Sequence, residues 1–160
     1  MTKEELGQLI MTEQECFYRI AKTMLYEDAD CSDAISEAIV KAFDSINTLR
    51  KPKYAKTWFV RILINECYAI LNRQKRMVAY EPDSLPDNIV SFNNEDYSEL
   101  YEALEALPPK TRLVISLYYM EGYSVKEIAK LTDTTESAVK NRLLRGRHEL
   151  KNDLEEMEGA

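Results

Sequence analysis

Residues 123–147 read YSVKEIAKLTDTTESAVKNRLLRGR, and this stretch decides the fold of the second half of the chain. Ser124, followed three residues later by Glu127, predicts a capping box at the start of a short helix. Residues 132–135 interrupt the apolar pattern and predict a turn before a longer helix. Helical spacing predicts the buried residues of the two helices: Ile128, Ala129, Leu131, Val139, Leu143 and Leu150. The stretch therefore has the pattern of a helix-turn-helix.

The side of the longer helix that faces away from its apolar residues is polar and cationic. It carries Ser137, Lys140, Asn141, Leu144 and Arg145. We expect Lys140 and Arg145 to lie on one outward stripe and to reach guanine acceptors, while Asn141 can donate and accept at a base edge. A plain α-hairpin with a solvated basic face is the alternative. The charge placement favours a recognition helix that enters the major groove of DNA.

The net charge of −7 conceals two basic segments. Between residues 50 and 76, eight Lys or Arg residues stand against one acid, Glu66, which gives a local balance of +7. Between residues 110 and 151, nine bases and five acids give a balance of +4, and the rest of the chain is acidic. Two basic segments separated by an acidic stretch indicate two surfaces that contact phosphate.

The chain before residue 77 is predicted to form three helices. The first spans residues 12–26 and begins with a capping box of Thr12 and Glu15. The second spans residues 30–46. The third runs from Pro52 to about residue 76, since proline is tolerated in the first turn of a helix.

The third helix interleaves basic and aromatic residues near its start, at Lys53, Tyr54, Lys56 and Trp58. Single-stranded nucleic acid is bound by rings that stack on bases, at about 1–3 kcal/mol each, and by cations that follow the backbone. Phe59 and Ile62 are expected in the core, whereas Trp58 fits either a core position or a stacking platform. This helix is therefore a second candidate for nucleic acid binding.

Residues 77–94 contain two prolines and no helical period, which predicts a flexible linker. The chain is accordingly expected to be all-α, with two small helical domains at residues 1–76 and 95–160. The helices predicted in the second domain span residues 95–107, 110–120 and 124–131, and one runs from residue 136 toward 156.

The reactive residues are few. Three scattered cysteines without a CxxC pair, with His148 as the only histidine, provide neither a disulfide framework nor a zinc site. A single histidine and the lack of a phosphate-binding glycine loop leave no catalytic constellation. We therefore expect no catalytic residue, no cofactor, no metal and no small-molecule substrate. With no apolar run of about 18–20 residues and no secretory signal pattern, we expect the protein to act in the cytoplasm.

Three segments resemble the sigma-70 superfamily, and within it the minimal extracytoplasmic-function (group 4) sigma factors; the resemblance covers about residues 17–154. Residues 33–43, DAISEAIVKAF, resemble the helix that docks on the polymerase clamp. Residues 56–65, KTWFVRILIN, resemble the segment that opens and reads the minus-10 element. Residues 104–112, LEALPPKTR, followed by the helix-turn-helix, resemble the module for the minus-35 element. The resemblance implies a three-helix region 2 domain and a helix-turn-helix region 4 domain.

The resemblance also implies a docking surface for core polymerase. It makes Asp33 and Glu37 contacts to basic residues of the clamp, with Ser36 between them. Ser36 stands where the family often has Gln, and Ile39 where it often has Phe, which implies a differently tuned contact. The solvated face of an amphipathic helix is the alternative for these residues.

The resemblance assigns two sets of residues to promoter DNA. The set implied for the minus-10 element is Lys56, Thr57, Trp58, Asn65, Arg73 and Arg76. Within it, Asn65 with Lys56 and Trp58 would receive or flank an extruded base, and the two arginines would hold adjacent phosphates. The set implied for the minus-35 element is Ser137, Lys140, Asn141, Arg142, Leu144, Arg145 and Arg147. Here Arg142 and Arg147 would contact backbone phosphates.

The function that the resemblance implies is that of a bacterial transcription initiation factor, not an enzyme. Such a factor binds the clamp and flap of core RNA polymerase and directs it to promoter DNA. Its family members are commonly held by an anti-sigma factor, often membrane-anchored. A stand-alone helix-turn-helix regulator is one alternative, which leaves residues 17–76 unexplained. A protein-binding adaptor is the other, and the acidic remainder of the chain suits it.

Overall fold

The computed structural model describes residues 1–80 and 98–158, and the regular elements among them are all helices. The chain divides into two compact units, Met1–Asn88 and Ile89–Ala160. The predicted all-α fold is confirmed for the described residues. The predicted linker at residues 77–94 lies largely outside them, although the last helix of the first unit extends to Tyr80. Within the described ranges, no helix has the length and apolar character needed to span a membrane.

The described part of the first unit contains four α-helices and two short 3-10 turns. The α-helices are α1 (Lys3–Thr12), α2 (Gln14–Met24), α3 (Asp28–Asp44) and α4 (Ala55–Tyr80). The 3-10 turns, Ile46–Thr48 and Pro52–Tyr54, connect α3 to α4. The three predicted helices correspond to α2, α3 and α4, and α1 was not predicted.

The capping box predicted at Thr12 and Glu15 is wrong. Thr12 is the last residue of α1, and Glu13, which precedes α2, makes no side-chain capping bond. The capping box of this region lies at the start of α1 instead, where the backbone N of Glu5 donates to Oγ1 of Thr2 at 3.1 Å. A threonine that ends one helix lacks the extended backbone of an N-cap residue, so its hydroxyl cannot cap the next helix.

Helices α2, α3 and α4 pack around an apolar core. Phe17 of α2 and Phe59 of α4 are fully buried, with ring centroids 4.4 Å apart. Helix α3 contributes the small buried residues Ala34, Ala38 and Ala42. The predicted core position of Phe59 is confirmed. Ile62, also expected in the core, is half-exposed, because its position on α4 falls at the edge of the buried side.

A polar cluster closes the corner between α2 and α3. The hydroxyl of Tyr18 donates to the carboxylate of Asp28, and Nζ of Lys22 lies 2.7 Å from the same carboxylate. The hydrogen bonds from Lys22 and Tyr18 lower the pKa of Asp28. The hydrogen bond to Asp28 raises the pKa of Tyr18 to about 12. The ionised carboxylate is therefore the form that this corner stabilises.

Two further polar contacts join α3 to α4. Lys41 forms an ion pair with Glu66, and Nε2 of Gln74 donates to Oδ2 of Asp30 at 2.7 Å. The later residue of α4 meets the earlier residue of α3, so the two helices run antiparallel. These contacts join α3 and α4 at two places along their length.

The second unit contains α5 (Ser98–Glu105), α6 (Pro109–Ile115), α7 (Val125–Leu131) and α8 (Glu136–Glu158). A π-helical turn, Ser116–Met120, continues α6, and the backbone N of Glu121 donates to the carbonyl of Ser116 at 3.1 Å. The sequence predicted one helix over residues 110–120, and its last five residues adopt this wider turn. This turn carries three large exposed side chains: Tyr118, Tyr119 and Met120.

Arg112 is buried at the corner between α5 and α6. Its Nη1 donates to the carbonyl oxygens of Glu105, at 3.3 Å, and Leu107, at 3.4 Å. Glu105 ends α5, and a cation there satisfies carbonyl groups that no longer have a helical partner. Pro109 stands in the first turn of α6, where its missing N–H is not needed. Arg112 therefore fixes the path of the chain between these two helices.

Helix α8 approaches α6 through a glycine. A Cβ atom added at Gly146 would lie 2.8 Å from Cδ1 of Ile115 and 3.1 Å from Cγ2 of Thr111. Real Cβ atoms essentially never show contacts of the shorter distance, so the backbone of α8 rests directly on α6. By contrast, a Cβ at Gly7 of α1 would meet nothing closer than Phe43, at 3.9 Å.

Candidate nucleic-acid interfaces

The helix-turn-helix predicted from the sequence is formed by α7 and α8. The backbone N of Glu127 donates to Oγ of Ser124 at 3.1 Å, and the predicted capping box is confirmed. Asp133 in the turn adopts a positive φ of 54°, and Oγ1 of Thr135 accepts from the backbone N of Ala138 at 3.1 Å. Local hydrogen bonds thus begin both helices and fix the turn between them.

Helix α8 has one buried side. Val139, Leu143 and Gly146 are buried, which confirms the predicted packing of the first two. Leu150, also expected to pack inward, is half-exposed one turn further along. The opposite side is exposed from Ser137 to Glu155.

The exposed side of α8 has a centre and two flanks. At about 100° per residue, Ser137, Asn141, Leu144 and His148 lie near its centre. Lys140 and Arg145 are both exposed, but five residues place them about 140° apart, on opposite flanks. The expectation that they share one stripe is therefore wrong.

Two arginines on α8 occupy the margins of this surface. Arg147 lies on the same flank as Lys140, two turns further along, and its Nε donates to the carbonyl of Leu143 at 3.2 Å. Arg142 is half-buried beyond the flank that carries Arg145. Sequence reasoning did not place His148 in this surface, although its spacing of seven from Asn141 puts the two side chains on one line.

The outward side of α4 brings together Trp58, Asn65 and Arg76, which share a stripe at spacings of seven and eleven. Trp58 is half-exposed and Asn65 and Arg76 are exposed, so the ring is accessible beside polar groups. Arg61 is exposed between Trp58 and Asn65 and was missed. Its spacing of three from Trp58 is the signal that places it there.

Three other residues predicted for the minus-10 site lie away from that stripe. Lys56 is on the opposite side of α4, half-buried, with Nζ 3.1 Å from Oε2 of Glu13. Thr57 is half-exposed on one flank and Arg73 is exposed on the other. Residues two apart on a helix point about 160° away from each other, so Lys56 and Trp58 do not flank one base.

The predicted docking residues form one continuous surface on α3. Asp33, Ser36 and Glu37 are all exposed on the same side of the helix. Val40, one turn further along and 56% exposed, extends this surface and was missed. Its spacing of seven from Asp33 is the pattern that identifies it.

An apolar groove borders this docking surface. It has a volume of about 540 Å³ and lies between α1, α2 and α3, with Ile10, Phe17, Ile35 and Ile39 among its lining residues. On α3, Ser36 stands between the groove and the acidic residues. Acidic and apolar groups are therefore available side by side on one face of the first unit.

Comparison with known proteins places both units in one family. The family model for Sigma-70 region 2 matches residues 9–77, and the model for Sigma-70 region 4 matches residues 97–150. RNA polymerase sigma factor SigV of Bacillus subtilis is 32% identical over 147 residues, covering 90% of this chain and 87% of that protein. ECF RNA polymerase sigma factor SigM of Mycobacterium tuberculosis is 27% identical over 144 residues, covering 89% of this chain and 74% of that protein.

A solved structure shows the same fold. It is the sigma factor RpoE in complex with the anti-sigma factor NepR from Bartonella quintana, with a TM-score of 0.79 at 20% identity. The match covers 95% of this chain and 98% of that one. The two family models and the 32% identity to a sigma factor over nine tenths of the chain show that this protein belongs to the sigma-70 family, in its extracytoplasmic-function group, and is an RNA polymerase sigma factor rather than an enzyme.

Proposed function

We propose a division of labour among three surfaces of this sigma factor: α3 docks on core polymerase, α4 binds the opened minus-10 element, and α8 reads the minus-35 element. The observation that carries the proposal is the exposed side of α8, where polar and cationic side chains stand opposite the buried Val139, Leu143 and Gly146. A helix of this kind enters the major groove with its polar side toward base edges.

The minus-10 element is bound by the outward stripe of α4. Trp58 offers a flat face on which a base can stack. Asn65, two turns further along the same side of α4, offers a hydrogen-bond donor and an acceptor. Arg61, Arg73 and Arg76 provide cations for the displaced strand. Lys56, held by Glu13 on the other side of the helix, contributes to the stability of the unit rather than to the base pocket.

Core polymerase is bound mainly through α3. Asp33 and Glu37 pair with basic groups of the clamp, and Ser36, Val40 and the adjoining groove supply a polar and apolar contact around them. The second unit contacts the flap, so that polymerase itself spaces the two DNA-binding helices. The protein acts in the cytoplasm, where its polymerase and promoters are, and an anti-sigma factor covers the same surfaces when transcription is off.

Charge reversal tests the docking surface. The double variant Asp33→Lys and Glu37→Lys is expected to lose most of its affinity for core polymerase and to lower transcription from every promoter alike. The fold is expected to survive because both side chains are exposed. Pull-down of core polymerase and run-off transcription measure the two effects, and each single reversal is compared with Glu4→Lys on α1, an exposed acid outside the docking surface, as the charge-matched control. If the docking variant kept its affinity for core polymerase, the docking surface would have to lie elsewhere on the protein.

Selection from random DNA tests the function as a whole. Core polymerase loaded with the protein is expected to enrich sequences with two conserved blocks at promoter spacing, whereas the free protein binds duplex DNA weakly. Tethering both helices on polymerase raises the effective concentration of the second contact. Tight, specific binding by the free protein would favour a stand-alone regulator, and binding to polymerase without transcription would favour an adaptor.

A further inference from the structure

Leu144 is an apolar side chain in the middle of the DNA-facing side of α8. It is 66% exposed, on a side of the helix that is otherwise polar and cationic. Lys140 and Asn141 lie one turn before it, and Arg147 and His148 one turn after it, and all four are exposed. A partner that lies along this surface is therefore met by one apolar side chain within a polar environment.

The major groove offers one such group. Each base pair presents donors and acceptors there, and only thymine adds a methyl group. A leucine placed against a base acceptor would remove that acceptor from water without replacing its hydrogen bond, at a cost. A leucine placed against the 5-methyl group of thymine instead shields two apolar surfaces from water.

We propose that Leu144 is a specificity-determining residue that selects thymine in the minus-35 element through the 5-methyl group of the base. This inference rests on the proposed function of α8. It goes beyond it by separating apolar selection at Leu144 from the hydrogen-bonding selection of Lys140, Asn141 and Arg145. One base pair of the element is therefore chosen for a methyl group and not for a donor or acceptor.

Deoxyuridine provides the test, because it differs from thymidine only in lacking this methyl group. Each thymine of the selected minus-35 element, on either strand, is replaced singly, and affinity is measured for polymerase loaded with the protein. We expect one position at which uracil lowers affinity about four-fold, the value of burying one methyl-sized group. At the other positions the loss should be smaller.

Substitution of Leu144 connects that position to the residue. Leu144→Ala should lower affinity for the thymine element about four-fold and abolish the preference for thymine over uracil, whereas Leu144→Met, which keeps an apolar side chain, should retain it. Met11→Ala on α1 removes a comparably exposed apolar side chain, 69% exposed, and should leave the preference unchanged. Because Leu144 is exposed, the variants are expected to fold, which circular dichroism checks.

The outcomes separate this inference from the function on which it rests. If loaded polymerase enriches a minus-35 element but no thymine in it responds to uracil, or if Leu144→Ala keeps the wild-type response, the role of Leu144 is wrong while α8 remains the reader. If loaded polymerase enriches no minus-35 sequence, the proposed function and this inference both fail.

Discussion

Helices α4 and α8 are both long, are both packed along one side and both expose a stripe to solvent, yet they differ in what they present. Helix α4 exposes the ring of Trp58 among arginines and Asn65. Helix α8 exposes Ser137, Asn141, Leu144 and His148 between cationic flanks and carries no Trp, Tyr or Phe. A flat ring stacks on an unpaired base, whereas short side chains fit against base edges in an intact groove. The two helices therefore suit two states of the same DNA, opened and closed.

The helices also differ in what supports them. Helix α4 is anchored by large side chains, with the buried Phe59 against Phe17. Helix α8 is anchored by Val139 and Leu143 and by the direct approach of Gly146 to α6. A large side chain keeps two packed helices apart, whereas a glycine lets them approach closely. The distance of α4 from its neighbour is therefore set by a large ring, and the distance of α8 from α6 by a missing side chain.

The largest expected effect comes from removing the anchor of α4. Phe59→Ala deletes a fully buried ring and is expected to lower the free energy of unfolding of the first unit by about 3–5 kcal/mol. Trp58, the only tryptophan, reports the transition by fluorescence during urea unfolding. Leu113→Ala, a buried change in the second unit, is the control and should leave that transition in place. A loss below about 1 kcal/mol would mean that α4 is anchored by other contacts.

The two flanks of α8 provide the next test. Lys140→Ala or Arg145→Ala is expected to cost about 1–3 kcal/mol at the preferred minus-35 sequence and to relax selectivity at one or two base pairs. Arg147→Ala should weaken all sequences about equally and reduce the salt slope by about one unit. Promoter libraries assayed with each variant distinguish these outcomes. Because Lys140 and Arg147 share a flank, an identical uniform loss in both variants would mean that this flank binds by charge alone.

Replacing a glycine with alanine is expected to change stability by a smaller amount, with opposite signs at Gly146 and Gly7. Gly146→Ala adds a methyl group where packed atoms stand 2.8 Å away, which costs about 1–3 kcal/mol, offset in part by the better helix propensity of alanine. The matched change Gly7→Ala meets only ordinary contact and should stabilise the protein by up to about 1 kcal/mol. Thermal unfolding of both variants measures the difference. Stabilisation by Gly146→Ala would show that α8 can move away from α6 without cost.

The smallest expected effect concerns the corner between α2 and α3. The pKa of Asp28 is lowered in the folded protein, so its contribution to stability is present above the ordinary pKa of 3.8 and is lost as pH falls through the folded value. Urea unfolding monitored by Trp58 between pH 6 and pH 3 should therefore show a steeper decline for wild type than for Asp28→Asn. Equal slopes for the two proteins would remove Asp28 from the acid dependence.

Local sequence patterns predicted part of the fold, and a pair of capping motifs shows where such patterns mislead. The capping box at Ser124 and Glu127 is confirmed, whereas the same spacing at Thr12 and Glu15 is not a cap. The two cases differ in what precedes them: a turn with Gly122 at a φ of 75° in the first, and the last turn of α1 in the second. A capping motif alone does not show whether its first residue already belongs to a helix.

At the candidate sites too, local spacing predicted which side chains share a side of a helix but not how distant helices pack. Sequence spacing identified the exposed residues of α8 and α3, because helical periodicity fixes which side chains share a side. The resemblance grouped Lys56 with Trp58, although two residues that are two apart on a helix point in nearly opposite directions. The contact of Gly146 with Ile115 depends on how two distant helices pack, so no local pattern contained it. The roles of these residues in promoter binding stay predictions.

The π-helical turn at Ser116–Met120 makes the directions of its own exposed side chains depend on chain length. A π turn holds one residue more than an α turn, so deleting one residue there would restore regular α-helical geometry. The wider turn absorbs the extra residue locally, so the chain on either side would keep its relative orientation and only the side chains of the turn itself would change direction. Tyr118 and Tyr119, whose rings now meet edge to face at 4.9 Å, would then turn relative to α6. Relatives that differ by one residue in this turn would accordingly display a different surface at the same place, without any change of side chain.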